Sequence, residues 1–317
     1  MAVYRIGNIL RMKREALGIT REKLCEMSEE ICSPQTLYRM ENGKVKVKKE
    51  IFWRLMECMD ELPERNYASI MVSDYRALQL KTEIQAHIFH KEYIEAEIKV
   101  DEIKQYMENN YVRNNQYLQE MSSKLAYYKQ QIYEEEHIEN LWKALRYTIP
   151  NLDKINFEEW PYNCEEFEIL IAILSMYHTT NKIESEEKLF LQIKKNIEKK
   201  YVDEDYYVSR HTLCLVGLSQ IMSMTYQHEK SIGYCNEGIA EFKNQRILGI
   251  IYDLLFDLAW NKEKMIQKEI LEKEERESCK KLLVQAYYMS VAQNMEYRAG
   301  RIKRLCVQNY SDEINLL

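Results

Sequence analysis

A recurrence constrains this chain more than any other feature. Five amphipathic stretches begin near Lys91 (K-E-Y-I-E-A-E-I), Glu136 (E-H-I-E-N-L-W-K), Glu184 (E-S-E-E-K-L-F-L), Glu229 (E-K-S-I-G-Y-C-N) and Glu275 (E-R-E-S-C-K-K-L). Their starts lie 45, 48, 45 and 46 residues apart. A fixed period of this length marks stacked repeat units. Each stretch follows another amphipathic one, over 75–87, 116–132, 164–178, 207–226 and 248–262. A helical pair of that size buries little apolar surface alone, so neighbouring pairs must stack. Residues 293–307 read as an end-capping helix. With 8 Gly and 4 Pro in 317 residues, few positions resist helix formation. From about Ala68 onward only helices are expected.

Residues 20–60 read differently. Ser33-Pro34-Gln35-Thr36-Leu37-Tyr38-Arg39-Met40-Glu41-Asn42-Gly43-Lys44 forms its centre. The Ser33 hydroxyl suits an N-cap, because it accepts from a free backbone N–H of the first turn. Pro34 falls at the first helical position, where its missing N–H is harmless. Asn42-Gly43 supplies a left-handed stop. A helix of about two turns follows, capped at both ends. Leu37 and Met40 face inward, which leaves Gln35, Thr36, Tyr38 and Arg39 outward. Gln matches the adenine edge and Arg matches guanine O6 and N7 in a major groove. Upstream, 6–17 has the rhythm of a first helix ending at Gly18, and Thr20 caps a second with Leu24 inward. Ile51, Leu55 and Met59 mark a fourth, with Phe52 and Trp53 adding packing.

This head resembles the Xre/Cro-type helix-turn-helix family, on Leu17-Gly18-Ile19-Thr20, Leu24, and Ser33 through Lys44. The stretch around Ser28-Glu29-Glu30 is a couple of residues longer than the family's, which implies a wider turn. The resemblance implies an ion pair between Arg14 and Glu41, tying the first helix to the end of the reading helix. It implies phosphate contact for Arg21, at the start of the second helix. Gln35 and Arg39 are expected at base edges, with Thr36 and Tyr38 at a thymine methyl or the backbone. Ser33 and Asn42 cap that helix at the interface. Lys44, Lys46, Lys48 and Lys49 follow it and would approach phosphates, positioning the domain without specifying sequence. Pro34 stands where the family often has a polar reader.

Charge is unevenly spread. Residues 1–66 hold 13 basic and 11 acidic side chains, a net of +2, against −6 for the whole chain. A mildly basic head on an acidic body fits a nucleic-acid-binding end and a body that does not bind it. The eight cysteines are single, with no C-x-x-C pair, which argues against a zinc ribbon. His87 and His90 lie three apart without an obvious ligand partner, so no metal site is expected. No secretory leader or membrane-length apolar run is read, so a cytoplasmic protein with reduced thiols is expected. No P-loop, G-x-G-x-x-G, G-x-S-x-G or H-E-x-x-H motif occurs, so neither a cofactor nor an enzyme activity is expected.

The body looks like a degenerate tetratricopeptide-type array, lacking the small-residue consensus in most units. The expected fold is all-α: a helix-turn-helix domain over 1–62, a linker at 63–67, and a TPR-like α-solenoid of about five helical hairpins over 68–317. A head of this type on such a body resembles the RRNPP group of peptide-sensing transcription regulators (the Rgg, PlcR and PrgX relatives). That resemblance implies a homodimer on a palindromic operator in double-stranded DNA. It also implies a short signalling peptide on the inner face of the repeats. The first helices of the later repeats offer His178, Tyr207, Arg210, Gln220, Tyr252, Asp253 and Trp260 as peptide contacts, with Arg210 suited to a peptide carboxylate. The alternative is a body that serves only as a dimerisation and protein-docking scaffold. Tyrosine is abundant, at 24 residues. It serves contact surfaces well, although at helical spacing it more often packs.

Overall fold

The computed structural model describes residues 6–59, 75–107, 111–199, 204–242 and 250–310. Among them every regular element is helical, as the sparse Gly and Pro foretell. The expected boundary and linker at 62–67 fall outside these residues. The chain divides into two compact units, Met1–Lys182 and Ile183–Leu317. No described helix is long and apolar enough to cross a membrane.

The first unit opens with four helices, α1 (Ile6–Ala16), α2 (Arg21–Met27), α3 (Pro34–Glu41) and α4 (Lys49–Glu57). Leu10, Leu24, Leu37 and Leu55 are wholly buried at their centre, with Cys25, Cys32, Met56 and Met59 around them. Gly18 ends α1 at a φ of +67°, and Gly43 follows α3 at +64°. The longer turn between α2 and α3 is absorbed by two consecutive left-handed residues, Glu29 and Glu30 (φ 56° and 57°). The Glu30 N–H reaches back to the Cys25 carbonyl at 2.8 Å, closing the end of α2.

Gly7 permits α1 to lie against the end of α3. A Cβ there would stand 1.8 Å from the Met40 carbonyl oxygen and 3.1 Å from Glu41 Cα. Backbone does not yield as a side-chain tip does. Gly7→Ala is therefore expected to destabilise the head by about 1–3 kcal/mol, seen as a lower melting temperature. An unchanged melting curve would mean that the two helices do not approach this closely.

The same unit continues with α5 (Tyr75–Phe89), α6 (Tyr93–Ile103), α7 (Val112–Tyr128), α8 (Glu134–Thr148) and α9 (Cys164–Thr179). The second holds α10 (Ile183–Glu198), α11 (Glu204–Met224), α12 (His228–Phe242), α13 (Ile251–Gln267), α14 (Glu275–Ala292) and α15 (Glu296–Tyr310). All ten expected repeat helices and the terminal cap are present. Consecutive helices pack: α5 on α6, α7 on α8, α11 on α12 and α13 on α14. The third expected pair is divided by the boundary between units, since α9 ends one and α10 opens the next.

The turns share one device. Lys91, Gln130, Asn181, Tyr226, Glu269 and Asn294 each follow a helix with φ between 56° and 62°. In each case the next N–H bonds a carbonyl five residues back, as from Gln131 to Ala126 and from Gln227 to Met222 (both 2.8 Å). This 6→1 closure satisfies a terminal carbonyl, usually with glycine at the left-handed position.

The second unit buries a polar chain among apolar side chains. Ser219 donates to Asp257 Oδ2 at 2.8 Å, and Asn261 donates to Ser231 Oγ at 2.8 Å. His228 Nδ1 lies 2.8 Å from Asn261 Oδ1. Burial raises the Asp257 carboxyl from 3.8 to about 7. An acid that holds its proton more tightly when folded contributes fully below its unfolded pKa, and the contribution is lost as pH climbs through the folded value. Asp257→Asn is thus expected to raise the melting temperature, by more at pH 8 than at pH 5. An equal shift at both pH values would contradict a protonated Asp257.

Candidate nucleic-acid interface

The reading helix α3 is set by its caps. Ser33 Oγ accepts from the Thr36 N–H at 3.2 Å and lies 2.9 Å from Thr36 Oγ1, so the Thr36 hydroxyl is engaged with its own cap. Asn42 donates its side-chain amide to the Tyr38 carbonyl at 2.8 Å, closing the other end. Leu37 and Met40 are buried, as the apolar spacing foretells. Gln35, Tyr38 and Arg39 are exposed, and Thr36 is half-buried. The Tyr38 ring lies 5.1 Å from the Arg21 guanidinium and 5.5 Å from Lys44 Nζ. Two cations on one aromatic ring gather positive charge beside the exposed edge of α3. Lys44, Lys46 and Lys48 are exposed beyond it. The side chain of Lys49 is outside the described set.

Glu41 fixes this face to the rest of the head. Arg14 Nε and Nη2 donate to its two oxygens at 2.6 and 3.0 Å, the bidentate fork expected from the resemblance. Arg14 Nη1 also donates to the Ile19 carbonyl at 2.8 Å. Sequence reasoning missed a second arginine. Arg21 Nε donates to Glu41 Oε2 at 2.6 Å while its side chain keeps 31 % exposure. One wholly buried carboxylate thus ties α1, α2 and α3 together. Such forks fix geometry more surely than they add stability.

A contact 153 positions apart in sequence holds the head on the repeats of its own unit. Lys13 Nζ, on α1, donates to both oxygens of Glu166 at 3.1 Å. Lys13 is 2 % exposed and Glu166 is fully buried. Trp160 Nε1 donates to Glu166 Oε2 at 3.1 Å, and the Trp160 ring centre lies 4.7 Å from Lys13 Nζ. Asn163 and Glu166 form a capping box that starts α9. Asn151 adds a donor to the Ala16 carbonyl at 3.1 Å. The N-x-x-E spacing signals the box in the sequence. Nothing local signals that its glutamate also takes a lysine from α1.

The expected peptide contacts are dispersed. His178 lies half-buried on α9, in the first unit. In the second, Tyr207, Gln220 and Trp260 are half-buried. Arg210 keeps 6 % exposure, and Tyr252, at 2 %, belongs to the core of the last helices. Asp253 pairs with Arg298, and its side chain is 13 % exposed. His87 Nδ1 stands 2.6 Å from Glu92 Oε2, a carboxylate partner the sequence did not make obvious.

Residues 10–64 match a family model described as helix-turn-helix. No curated protein matches the chain. Among solved structures, Bacillus thuringiensis PlcR in complex with the peptide PapR7 and DNA is 21 % identical, over 94 % of this chain and 98 % of that one, with a TM-score of 0.57. PlcR in its apo form is 18 % identical over the same shares, with a TM-score of 0.56. BtubC from P. vanneervenii is 11 % identical over 68 % of this chain and 80 % of that one, with a TM-score of 0.50. The head of this chain is thus a helix-turn-helix domain of the Xre type, joined to helical repeats in the fold of PlcR.

Proposed function

We propose that the chain is a sequence-specific DNA-binding transcription regulator of the cytoplasm, controlled by a short peptide on its repeats. The observation that carries the reading is the exposed Gln35–Tyr38–Arg39 face of a helix capped at both ends and anchored through Glu41. In this reading residues 1–62 enter the major groove and residues 68–317 dimerise and sense the effector. Gln35 and Arg39 meet base edges, Thr36 and Tyr38 meet a methyl or the backbone, and Ser33 and Asn42 hold the helix ends. Arg21, Lys44 and Lys46 meet phosphates. Two heads in a homodimer address half-sites of a palindromic operator about 34 Å apart, or a multiple of that.

PlcR was solved with a peptide and DNA together, which supports an effector peptide here. Such a peptide acts only through its differential affinity for two conformations of the body. Within the second unit, Tyr207, Gln220, Asp253 and Trp260 are half-buried and retain some exposure for such a contact. The more buried Arg210 and Tyr252 would join only where the repeats part around the ligand.

Arg39→Ala is expected to weaken operator binding by about 1–3 kcal/mol and to relax preference at one base pair. A genomic selection followed by gel-shift titration at fixed salt measures both. Parent-like affinity and preference would sink the reading. Pooled peptides from the source culture are expected to raise the melting temperature by mass action. No shift at saturation would favour a repeat domain that serves only as a scaffold.

A further inference from the structure

Within the second unit, His211 of α11 is 1 % exposed, yet its Nε2 has no hydrogen-bond partner. The atom lies 3.8 Å from Glu198 Oε1, near the end of α10, and 3.8 Å from Glu237 Oε1, on α12. The other ring nitrogen, Nδ1, lies 2.8 Å from Glu241 Oε2. An ionised carboxylate only accepts, so that contact puts an N–H at Nδ1 and leaves Nε2 as the ring nitrogen turned toward the two other carboxylates. Tyr207 stacks on the imidazole at 5.2 Å, and its hydroxyl lies 3.5 Å from Glu241 Oε1. Both contacts hold the ring in this orientation.

The charges do not balance. Glu198, Glu237 and Glu241 face one ammonium, Lys194 Nζ, at 2.5 Å from Glu198 Oε1 and 3.0 Å from Glu237 Oε1. Burial opposes the charged lysine, but the hydrogen bonds it donates to those two glutamates outweigh burial and hold it more basic than usual. Among the described residues, three carboxylates around one lysine ammonium give this corner of the second unit an excess of negative charge.

We propose that His211, Glu198 and Glu237 form a site for a divalent first-row transition ion, and that Lys194 stands in its place when the ion is absent. The three ligand atoms lie within 4.8 Å of one another. Metal–ligand bonds of about 2.0–2.2 Å span the 3.8 Å separations between Nε2 and each carboxylate. The exposed ends of Glu198 and Glu237 close the remaining gap without backbone movement. The Nδ1–H···Glu241 bond fixes the tautomer a metal-binding imidazole needs. One nitrogen with two carboxylate oxygens suits manganese-, cobalt- or zinc-class ions over magnesium or calcium. The ion would link α10, α11 and α12.

The test uses the full chain with MnCl2, CoCl2 and, as a control, MgCl2. Cobalt is followed by its visible absorption and manganese by electron paramagnetic resonance. One equivalent of cobalt or manganese is expected to bind, with magnesium much weaker. Glu198→Gln and Glu237→Gln keep a hydrogen-bond acceptor for Lys194 at exposed positions, so the fold survives. Each is expected to weaken binding about 10–100-fold, and Lys194→Met to strengthen it about tenfold by removing the competing cation. His211→Gln is expected to abolish the cobalt spectrum. No binding by the parent at millimolar metal would overturn the site. So would equal affinity for magnesium, or affinity unchanged in both glutamine variants, which would place the ion on other side chains.

Discussion

Glu166→Ala is expected to destabilise the first unit by about 3–5 kcal/mol, because it takes from a buried lysine the carboxylate that accepts from it twice. Lys13 is 2 % exposed and gives both Glu166 oxygens a hydrogen bond at 3.1 Å. The same carboxylate accepts from Trp160 Nε1 and from the Asn163 N–H. Its loss therefore removes the acceptor that Lys13, Trp160 and the first turn of α9 share. Lys13→Met paired with Glu166→Leu is expected to recover most of the loss, since an apolar pair of similar volume removes both charges from the interface. Equilibrium denaturation of the parent, both single variants and the double variant isolates the pairwise coupling. Strictly additive losses would show that the two charges do not meet. Operator binding adds a second readout. If the contact only holds the head in place, the double variant will bind DNA with altered dependence on the effector but unaltered contacts in α3.

The second large effect is expected at Glu41. Two arginines converge on it, with Arg14 at 2.6 and 3.0 Å and Arg21 at 2.6 Å, and its side chain has no exposure. Glu41→Ala leaves the buried Arg14 only the exposed Glu15 carboxylate, 3.2 Å from Nη2, as counter-charge, a loss of about 3 kcal/mol. Arg21 keeps 31 % of its side chain in solvent and can turn outward, so Arg14 bears most of the loss. Specific DNA binding is expected to vanish with the orientation of α3. Glu41→Gln keeps the shape and one acceptor oxygen and should be milder. A Glu41→Ala protein that melts and binds like the parent would disprove the anchoring role.

These two carboxylates differ in how far the sequence announced them. Glu41 lies inside a motif whose resemblance to a known family implies its partner Arg14, and the caps Thr20, Ser33 and Asn42 act within a turn or two of themselves. Hairpin periodicity is equally local, so every repeat helix and the terminal cap could be placed. Glu166 finds Lys13 across 153 positions, and no short-range pattern encodes such a meeting. Gly7 is needed because of one close approach between helices. His211 gains meaning only when α10 and α12 bring Glu198 and Glu237 beside it. The peptide-facing side was the least legible. Helix α13 buries Tyr252, Leu254, Leu255, Phe256, Asp257, Leu258 and Ala259 in near succession. An all-round buried helix has no polar stripe to mark an inner or outer face.

The inter-helix turns bear on how the repeats melt. Lys91, Gln130, Tyr226 and Glu269 hold left-handed backbone without being glycine. Each such residue opposes its own turn by roughly 1–2 kcal/mol. A two-helix segment cut from its neighbours would thus be a poor autonomous folder. More of the total must come from burial between adjacent segments, and in one-dimensional arrays that shift of weight sharpens cooperativity. Heating should accordingly dissolve the array in blocks rather than let it fray one segment at a time from its ends.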